Sequence, residues 1–366
     1  MRQKKKSPDF VLFLTVMSML SLGVVMVFSA SEYSTMVNYQ DSFHYFKQQL
    51  VWALLGLTAM FIMVRYDYWR LKHYILPIII IAFVLLVMVL IPGIGREVKG
   101  AQRWIAVGPL PFAPAELVKL CIIIFTAYGL SQQRNRIKNV MGLFPYLAVM
   151  GVAALLILMQ PDLGTAMSVA GIVFVMLFAA GARLTHLGSL VAAGVVAVGA
   201  AIALEPYRLK RFLAFLDPWA DPLGDGFQTV QGLYAIGSGG LFGLGLGQSK
   251  QKFLYLPENH TDFIFAIIGE ELGFIGASLV ILLFILFIWR GLKIAVTSTD
   301  PFASLLATGI TAWVGVQSII NIGVVTGSLP VTGIPLPFIS YGGTSLLFTM
   351  IGVGMLLNIS RFTATR

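Results

Sequence analysis

Charge is what this chain has least of. Only 11% of its 366 residues are Asp, Glu, Lys or Arg, and 58% are hydrophobic. A soluble domain carries about 25% charged residues, so the shortage excludes an ordinary water-soluble globule and points to an integral membrane protein. Cysteine is scarcer still. The one thiol, Cys121, lies inside an apolar run, so no internal disulfide can form. Neither it nor the four histidines show metal-ligand spacing. Acidic residues are outnumbered, 16 against 25 Lys and Arg, for a net charge of +9. The excess falls in short stretches flanking apolar runs, which is how membrane topology is written. No nucleic-acid partner is expected from it.

What is present is a succession of apolar stretches. About 20 apolar residues make a helix long enough to cross a bilayer. Ten stretches qualify: 10–30, 46–64, 74–92, 113–130, 144–160, 163–181, 186–204, 263–289, 303–326 and 340–358. The expected fold class is all-α integral membrane, with ten transmembrane helices in one polytopic domain over 1–366. The opening MRQKKKSPDF precedes an apolar run with no small-residue cleavage site, so the first helix is expected to be retained. An even number of crossings puts both termini on one side. Placing them in the cytoplasm puts 15 of the 25 basic residues inside, in keeping with the positive-inside rule. No repeat relates the two halves, which argues against a transporter built from inverted repeats.

Four polar regions interrupt this pattern. The outer segment 93–112, GIGREVKGAQRWIAVGPLPF, sets charges and a tryptophan among glycines and prolines. The link QPDLG at 160–164 reads as a tight hairpin. The stretch 205–262, between helices seven and eight, is 58 residues long, and loops of that length are functional or disordered. Its aromatic residues and helix-like spacing argue for short amphipathic helices at the outer interface. The glycines of GSGGLFGLGLGQS mark turns or close backbone approach. Before the last span, VTGSLPVTGIPLPFISYGG has irregular backbone, tolerated at membrane depth only where protein or a water-filled cavity covers it. Gln317 and Asn321 are polar residues within the ninth span.

The ionisable groups gather where the long loop meets the eighth span. Glu258, His260, Thr261 and Asp262 stand at that lip, with Glu270 and Glu271 two turns further in. Ionisable residues at membrane depth are expensive and by default functional. Asp262 suits either a helix N-cap or a general base, with Thr261 available as the cap and His260 and Glu258 able to tune it or bind a cation. Glu116 and Lys119, three apart, share one helix face. They read as a self-neutralising buried pair or as a lysine meeting an anionic headgroup. Lys47 reads as a snorkelling lysine. Arg103 beside Trp104 reads as an interface anchor, and Arg208 and Arg211 as a solvated face or a contact with anionic lipid. Asp162 reads as the cap of span six. Together, cations at Lys47, Arg103, Lys119, Arg208 and Arg211 around Asp262 suit a phosphate-bearing lipid approached from the outer leaflet. The cations would neutralise a leaving phosphate, and the carboxylate would take a proton from an attacking hydroxyl.

The motifs RWI at 103–105, PAELVK at 114–119, QPDLGTA at 160–166, PYRLKR at 206–211, DPLGDGFQ at 221–228, LGLGQSKQKFLYLPENHTDFIFAIIGEELGF at 244–274 and GIPLPFISYGG at 333–343 resemble those of the SEDS family (shape, elongation, division and sporulation). The resemblance covers nearly the whole chain. The length, short tails and long loop are most similar to the sporulation branch. It implies a peptidoglycan glycosyltransferase of the bacterial cell membrane, polymerising lipid II beside a class B penicillin-binding protein, in spore cortex synthesis for that branch. The family's essential aspartate falls on Asp262, and its glutamate–lysine pair on Glu116 and Lys119. A divalent cation, Mg or Mn, is a candidate helper, and no organic cofactor is expected. Two departures stand out. Ala113, Pro114, Ala115 and Glu116 replace the family's common Gln-Pro-Ser-Glu, and Gln48 stands where an arginine often follows Lys47. Two rival readings, a lipid II flippase and a scaffold that only positions a penicillin-binding protein, would respectively need polar groups through the whole membrane and no chemistry at Asp262.

Overall fold

The computed structural model describes residues 6–98, 100–107, 110–132 and 136–363. Of the charged residues weighed above, Arg2, Lys4, Lys5, Lys99, Arg134 and Arg366 lie outside them. A helix occupies each of the ten expected spans: α1 Phe10–Tyr39, α2 His44–Arg65, α3 Ile75–Met88, α4 Pro114–Gln132, α5 Val140–Leu158, α6 Leu163–Ala179, α7 Leu184–Ala203, α10 Ile264–Thr297, α11 Pro301–Val325 and α12 Gly343–Ser360. Among the described residues nine helical stretches are long and apolar enough to span a membrane, α3 qualifying together with the 3-10 turns before it as Tyr68–Met88, and α6, at 17 residues, is shorter. The long loop carries short helices, as expected; there are two among the described residues, α8 Pro206–Leu216 and α9 Phe227–Ser238. α8 buries none of its residues, as a helix lying on an interface should.

The segment 93–112 differs from expectation. It is not a plain loop but a three-stranded antiparallel sheet, β1 Gly95–Val98, β2 Ala101–Val107 and β3 Leu110–Phe112. Lys-Gly and Gly-Pro pairs at 99–100 and 108–109 punctuate it, and those are turn signals. The sheet leads directly into α4 and so fixes where Arg103 stands.

Helices α4, α11 and α12 form the buried centre. α2 lies against α12, α1 and α6 flank α10 and α11, and α7 stands apart with Leu187 its one buried residue. Both ends of the described chain meet on one face. Lys6 N–H donates to Arg361 O (3.1 Å), Asp9 N–H to Ser360 Oγ (3.0 Å), and Arg290 pairs with Asp9. These bonds tie the start of α1 and the end of α12 to α10.

Two irregular segments pack against the helical layer, the first enclosed by protein and the second exposed along much of its length. The stretch 327–342 dips beside α1 at Gly23, where a Cβ would come within 2.5 Å of Phe338 O. Ile334, Leu336, Phe338 and Ile339 are all buried there. The second segment, 239–252, lies against α10, which breaks at Gly273 (φ 67°, ψ −167°). The break frees backbone groups that lipid cannot satisfy. The loop supplies their partners: Phe274 N–H donates to Gly240 O (2.9 Å) and Ile275 N–H to Leu241 O (3.2 Å), while Leu244 and Gly245 N–H donate to Glu270 O and Glu271 O (both 3.0 Å). The glycine run at 239–247 is what lets two backbones lie this close.

Glu270 and Glu271 continue the same seam. Glu270 accepts from Lys250 N–H (2.8 Å) and Ser249 Oγ (2.5 Å); Glu271 accepts from Ser29 Oγ (2.7 Å) and Ser249 N–H (3.3 Å). They pin the loop to α1 and α10. The functional default given to buried carboxylates is therefore replaced, for these two, by a structural role.

The backbone at Gly273 occupies a region that only glycine enters readily, and a Cβ there would sit 2.6 Å from Leu241 O. Strain of this kind costs about 1–3 kcal/mol. Gly273→Ala should lower thermal stability in detergent by an amount in that range. Gly199→Ala on α7, where nothing lies within 4 Å, should leave it unchanged or slightly raised.

Candidate active site

Asp262 is the last residue but one before α10. The helix starts from Phe263, whose side chain cannot cap, and no side-chain cap is present. Thr261 is the alternative cap that the sequence offers. Instead its hydroxyl bonds to Glu258, both to Oε2 (2.7 Å) and to the backbone oxygen (3.3 Å), so the N-cap reading fails for Thr261.

The backbone carrying Asp262 is stapled in place from outside its own helix. Tyr341 N–H donates to His260 O (2.9 Å), Ser340 Oγ to Thr261 O (2.6 Å), and Asn321 Nδ2 to Asp262 O (2.7 Å). Three consecutive carbonyls are held by two elements, the 334–341 segment and α11. That segment is itself fixed: Asn321 Nδ2 reaches Ile334 O (2.7 Å), Gln317 Nε2 reaches Pro335 O (3.0 Å), and Leu336 N–H reaches Ser340 Oγ (2.8 Å). The carboxylate is half-buried. Its Oδ2 lies 3.4 Å, and Arg103 Nη1 3.8 Å, from the point where a Cβ on Gly333 would be. A carboxylate and a guanidinium therefore converge over one glycine.

Arg103 projects from β2 onto the α5–α6 link. It donates through Nε to Gln160 O (3.2 Å) and through Nη2 to Pro161 O, and its Nη1 stands 3.6 Å from Asp162. Asp162 caps α6 as expected, accepting from Thr165 N–H (3.0 Å) and Thr165 Oγ1 (2.9 Å). Arg208, on α8, reaches the same link from the other side. It donates to Leu158 O (3.4 Å) and Ala201 O (3.1 Å), and Tyr207 OH to Pro161 O (3.5 Å). Two guanidiniums thus gather at the C-terminal end of α5, where the helix dipole is negative. Trp104 follows Arg103 on a strand and so points to the opposite face, pairing across the sheet with Arg96.

The other expected residues lie further out or further in. Arg211 is exposed on α8, 5.9 Å from the Tyr207 ring. Lys47 is exposed and paired with Asp41 (2.8 Å), whose hydrogen bond from Lys47 holds the carboxyl below its ordinary range. Gln48, not Lys47, reaches inward, accepting from Tyr341 OH. His260 stacks on Tyr45 (4.5 Å between centroids) and meets Asn259 Oδ1 through Nδ1 (3.1 Å).

Lys119 is sealed. Its side chain is 1% exposed, with Nζ 2.7 Å from Glu116 Oε1 and 3.2 Å from Gln317 Oε1. In this conformation its ammonium faces Glu116, Gln317 and the Trp313 ring rather than the cleft. It touches the site at one remove. Gln317 Oε1 also accepts from Trp313 Nε1 (2.8 Å), which turns Nε2 toward Pro335 O.

Sequence reasoning marked Gln317 and Asn321 as polar without giving them work, and passed over Ser340 and Gln160. A signal for the first two was present. Trp313, Gln317 and Asn321 recur every four residues on one face of a buried helix, a polar stripe that lipid would not tolerate. Among the described residues no three His, Cys, Asp or Glu side chains gather closely enough to hold a metal ion.

Comparison with known proteins covers almost the entire chain. The family model described as "Cell cycle protein", for FtsW, RodA and SpoVE, matches residues 10–365. The chain is 47% identical to stage V sporulation protein E of Bacillus subtilis (strain 168), over 99% of this chain and 100% of that one. It is 44% identical to a probable peptidoglycan glycosyltransferase FtsW of Trichlorobacter lovleyi, over 96% and 93% of the two chains. Among solved structures, a chain of a peptidoglycan synthase complex described as coordinating polymerization and crosslinking superposes with a TM-score of 0.81 at 32% identity, over 97% and 98% of the two chains.

Proposed function

The chain belongs to the FtsW, RodA and SpoVE family of cell cycle proteins, and from that premise we propose that it is a peptidoglycan glycosyltransferase polymerising lipid II. It is a multi-pass membrane protein, and it works at the outer face of the cytoplasmic membrane with a class B penicillin-binding protein that crosslinks the product. The similarity to a sporulation protein favours spore cortex as the wall it builds.

One observation carries the reading: Asp262 and Arg103 meet over Gly333 on backbone that three neighbours hold rigid. The acceptor sugar brings a 4-hydroxyl to Asp262, which takes its proton as general base. The freed oxygen attacks the anomeric carbon of the donor lipid II. The bond from that carbon to the diphosphate breaks, and undecaprenyl pyrophosphate leaves. Arg103, then Arg208, neutralises the departing charge by exchanging backbone carbonyls for phosphate oxygens, a change suited to a guanidinium fork. His260 shares the stapled backbone of the base; Trp104, Arg211 and Lys47 stand away from the convergence of Asp262 and Arg103 and are given no step. The protein's own donor set near Asp262 is sparse, so a divalent cation bound there would take most of its oxygens from the diphosphate; no step is assigned to it. Glu116 and Lys119 act from beneath, by orienting Gln317.

The test is polymerisation of purified lipid II by the full chain with a class B partner, glycan strands being resolved by gel. Transport of labelled lipid II across vesicles without polymerisation would overturn the reading. Arg103→Lys keeps the charge and loses the fork, so kcat/KM should fall about tenfold or more. An unchanged kcat/KM would remove Arg103 from the site.

A further inference from the structure

We propose that Asn321 is a positioning residue for the reaction, holding Asp262 in register with the 332–336 segment. The inference rests on the reading of Asp262 given above. Asn321 is 1% exposed in the most buried part of α11. Its Nδ2 gives both hydrogens at 2.7 Å, one to Asp262 O and one to Ile334 O. The two acceptors are 72 residues apart in sequence, and they bracket the cleft: one is the backbone of the base, the other follows Gly333, over which Arg103 and Asp262 converge.

The other end of the amide makes the assignment directional. Asn321 Oδ1 is buried with no hydrogen-bond partner. Buried polar atoms are almost always paired, and an exception calls for a reason. Here the two donor bonds set the orientation of the amide and the oxygen follows. An aliphatic residue of the same size would fill the space without the orphan, so packing alone does not explain an asparagine. Its donors do: they join the base's own carbonyl to the segment under the cleft, alongside the link that Ser340 makes between Thr261 O and Leu336 N–H. Near-attack geometry is sensitive at this scale, and a shift of 1 Å costs about 100-fold in rate.

Two variants test it in the full chain with its class B partner, using lipid II as the probe and thermal melting in detergent as the check on folding. Asn321→Leu removes both donors and keeps the branched shape at a somewhat larger volume. It should lower kcat about 100-fold while KM for lipid II stays within about threefold, a split that a general loosening of the fold would not produce. Asn321→Asp faces two carbonyls, so burial keeps its carboxyl protonated at neutral pH and one donor survives. As pH rises through its raised pKa that donor is lost, and kcat should show an alkaline fall absent from wild type and from Asn321→Leu. If Asn321→Leu does not fold, the pH profile of Asn321→Asp decides. A kcat for Asn321→Leu near wild type, or a flat profile for Asn321→Asp, overturns the inference. Those outcomes are distinct from failure of the underlying reading, which shows instead as wild-type turnover by Asp262→Asn.

Discussion

Asp262→Asn should stop strand growth while leaving the protein folded and able to bind its partner. The substitution keeps the shape of the side chain and removes its basicity. A positioned general base contributes about 10²–10⁴ in rate, so kcat should fall by about 10³ with KM for lipid II little changed. Stability should change far less than activity, because the residue is anchored by its own carbonyl and those of its neighbours whichever side chain it carries. Asn321 takes the Asp262 carbonyl, and Ser340 and Tyr341 take the two before it. Helix α10 begins at Phe263 without a side-chain cap, so no cap is lost either. A carboxylate that contributed mainly to folding would show the reverse pattern, a lower melting temperature with proportionate loss of activity. Wild-type turnover by the variant would leave the convergence of Asp262 and Arg103 without chemistry and would favour a scaffold that only positions its partner.

How much of this could be read from sequence depends on the kind of signal. The spans were legible because hydrocarbon imposes length and apolarity on each of them. The amphipathic helices α8 and α9 were legible for a related reason, since an interface sorts side chains by face. Asp262 stood out as an ionisable group at the mouth of a span. The sheet at 95–112 did not, because its strands are short and its evidence is two turn dipeptides. The break at Gly273 was hidden inside a continuous apolar run. Nothing local shows that the next carbonyl and amide will find their partners at 240–245. The environment of the cations was the least legible. Arg103 and Arg208 meet at the 158–161 link across 105 residues of sequence, and only the fold brings them there. Lys47 looked like their equal and instead pairs with Asp41 at the surface. Composition reports which charges exist, and their partners are a tertiary fact.

Glu116→Gln should be among the most destabilising single changes in the chain, and Glu116→Gln with Lys119→Met far less so. The Lys119 side chain is 1% exposed and Glu116 is its ion-pair partner at 2.7 Å. Replacing that carboxylate by an amide leaves an ammonium in a low-dielectric interior with no counter-charge, its contacts being the neutral oxygens of the new amide and of Gln317 and the Trp313 ring. Breaking a buried pair from one side costs about 3–5 kcal/mol, whereas replacing both charges by residues of similar volume is often neutral or stabilising. Melting in detergent should therefore drop sharply for the single variant and recover to within about 1 kcal/mol for the double. Activity need not recover with it. Lys119 is one of two donors that fix Gln317 Oε1, and Gln317 Nε2 holds Pro335 O beside the cleft. With Trp313 as the remaining donor, the amide is less firmly oriented, so the recovered double variant should turn over more slowly, by about tenfold, at unchanged KM. A rise in KM instead would show that Lys119 meets the diphosphate after a rearrangement that opens its pocket. Single and double variants that melt alike would show that the pair is not the uncompensated liability its burial implies.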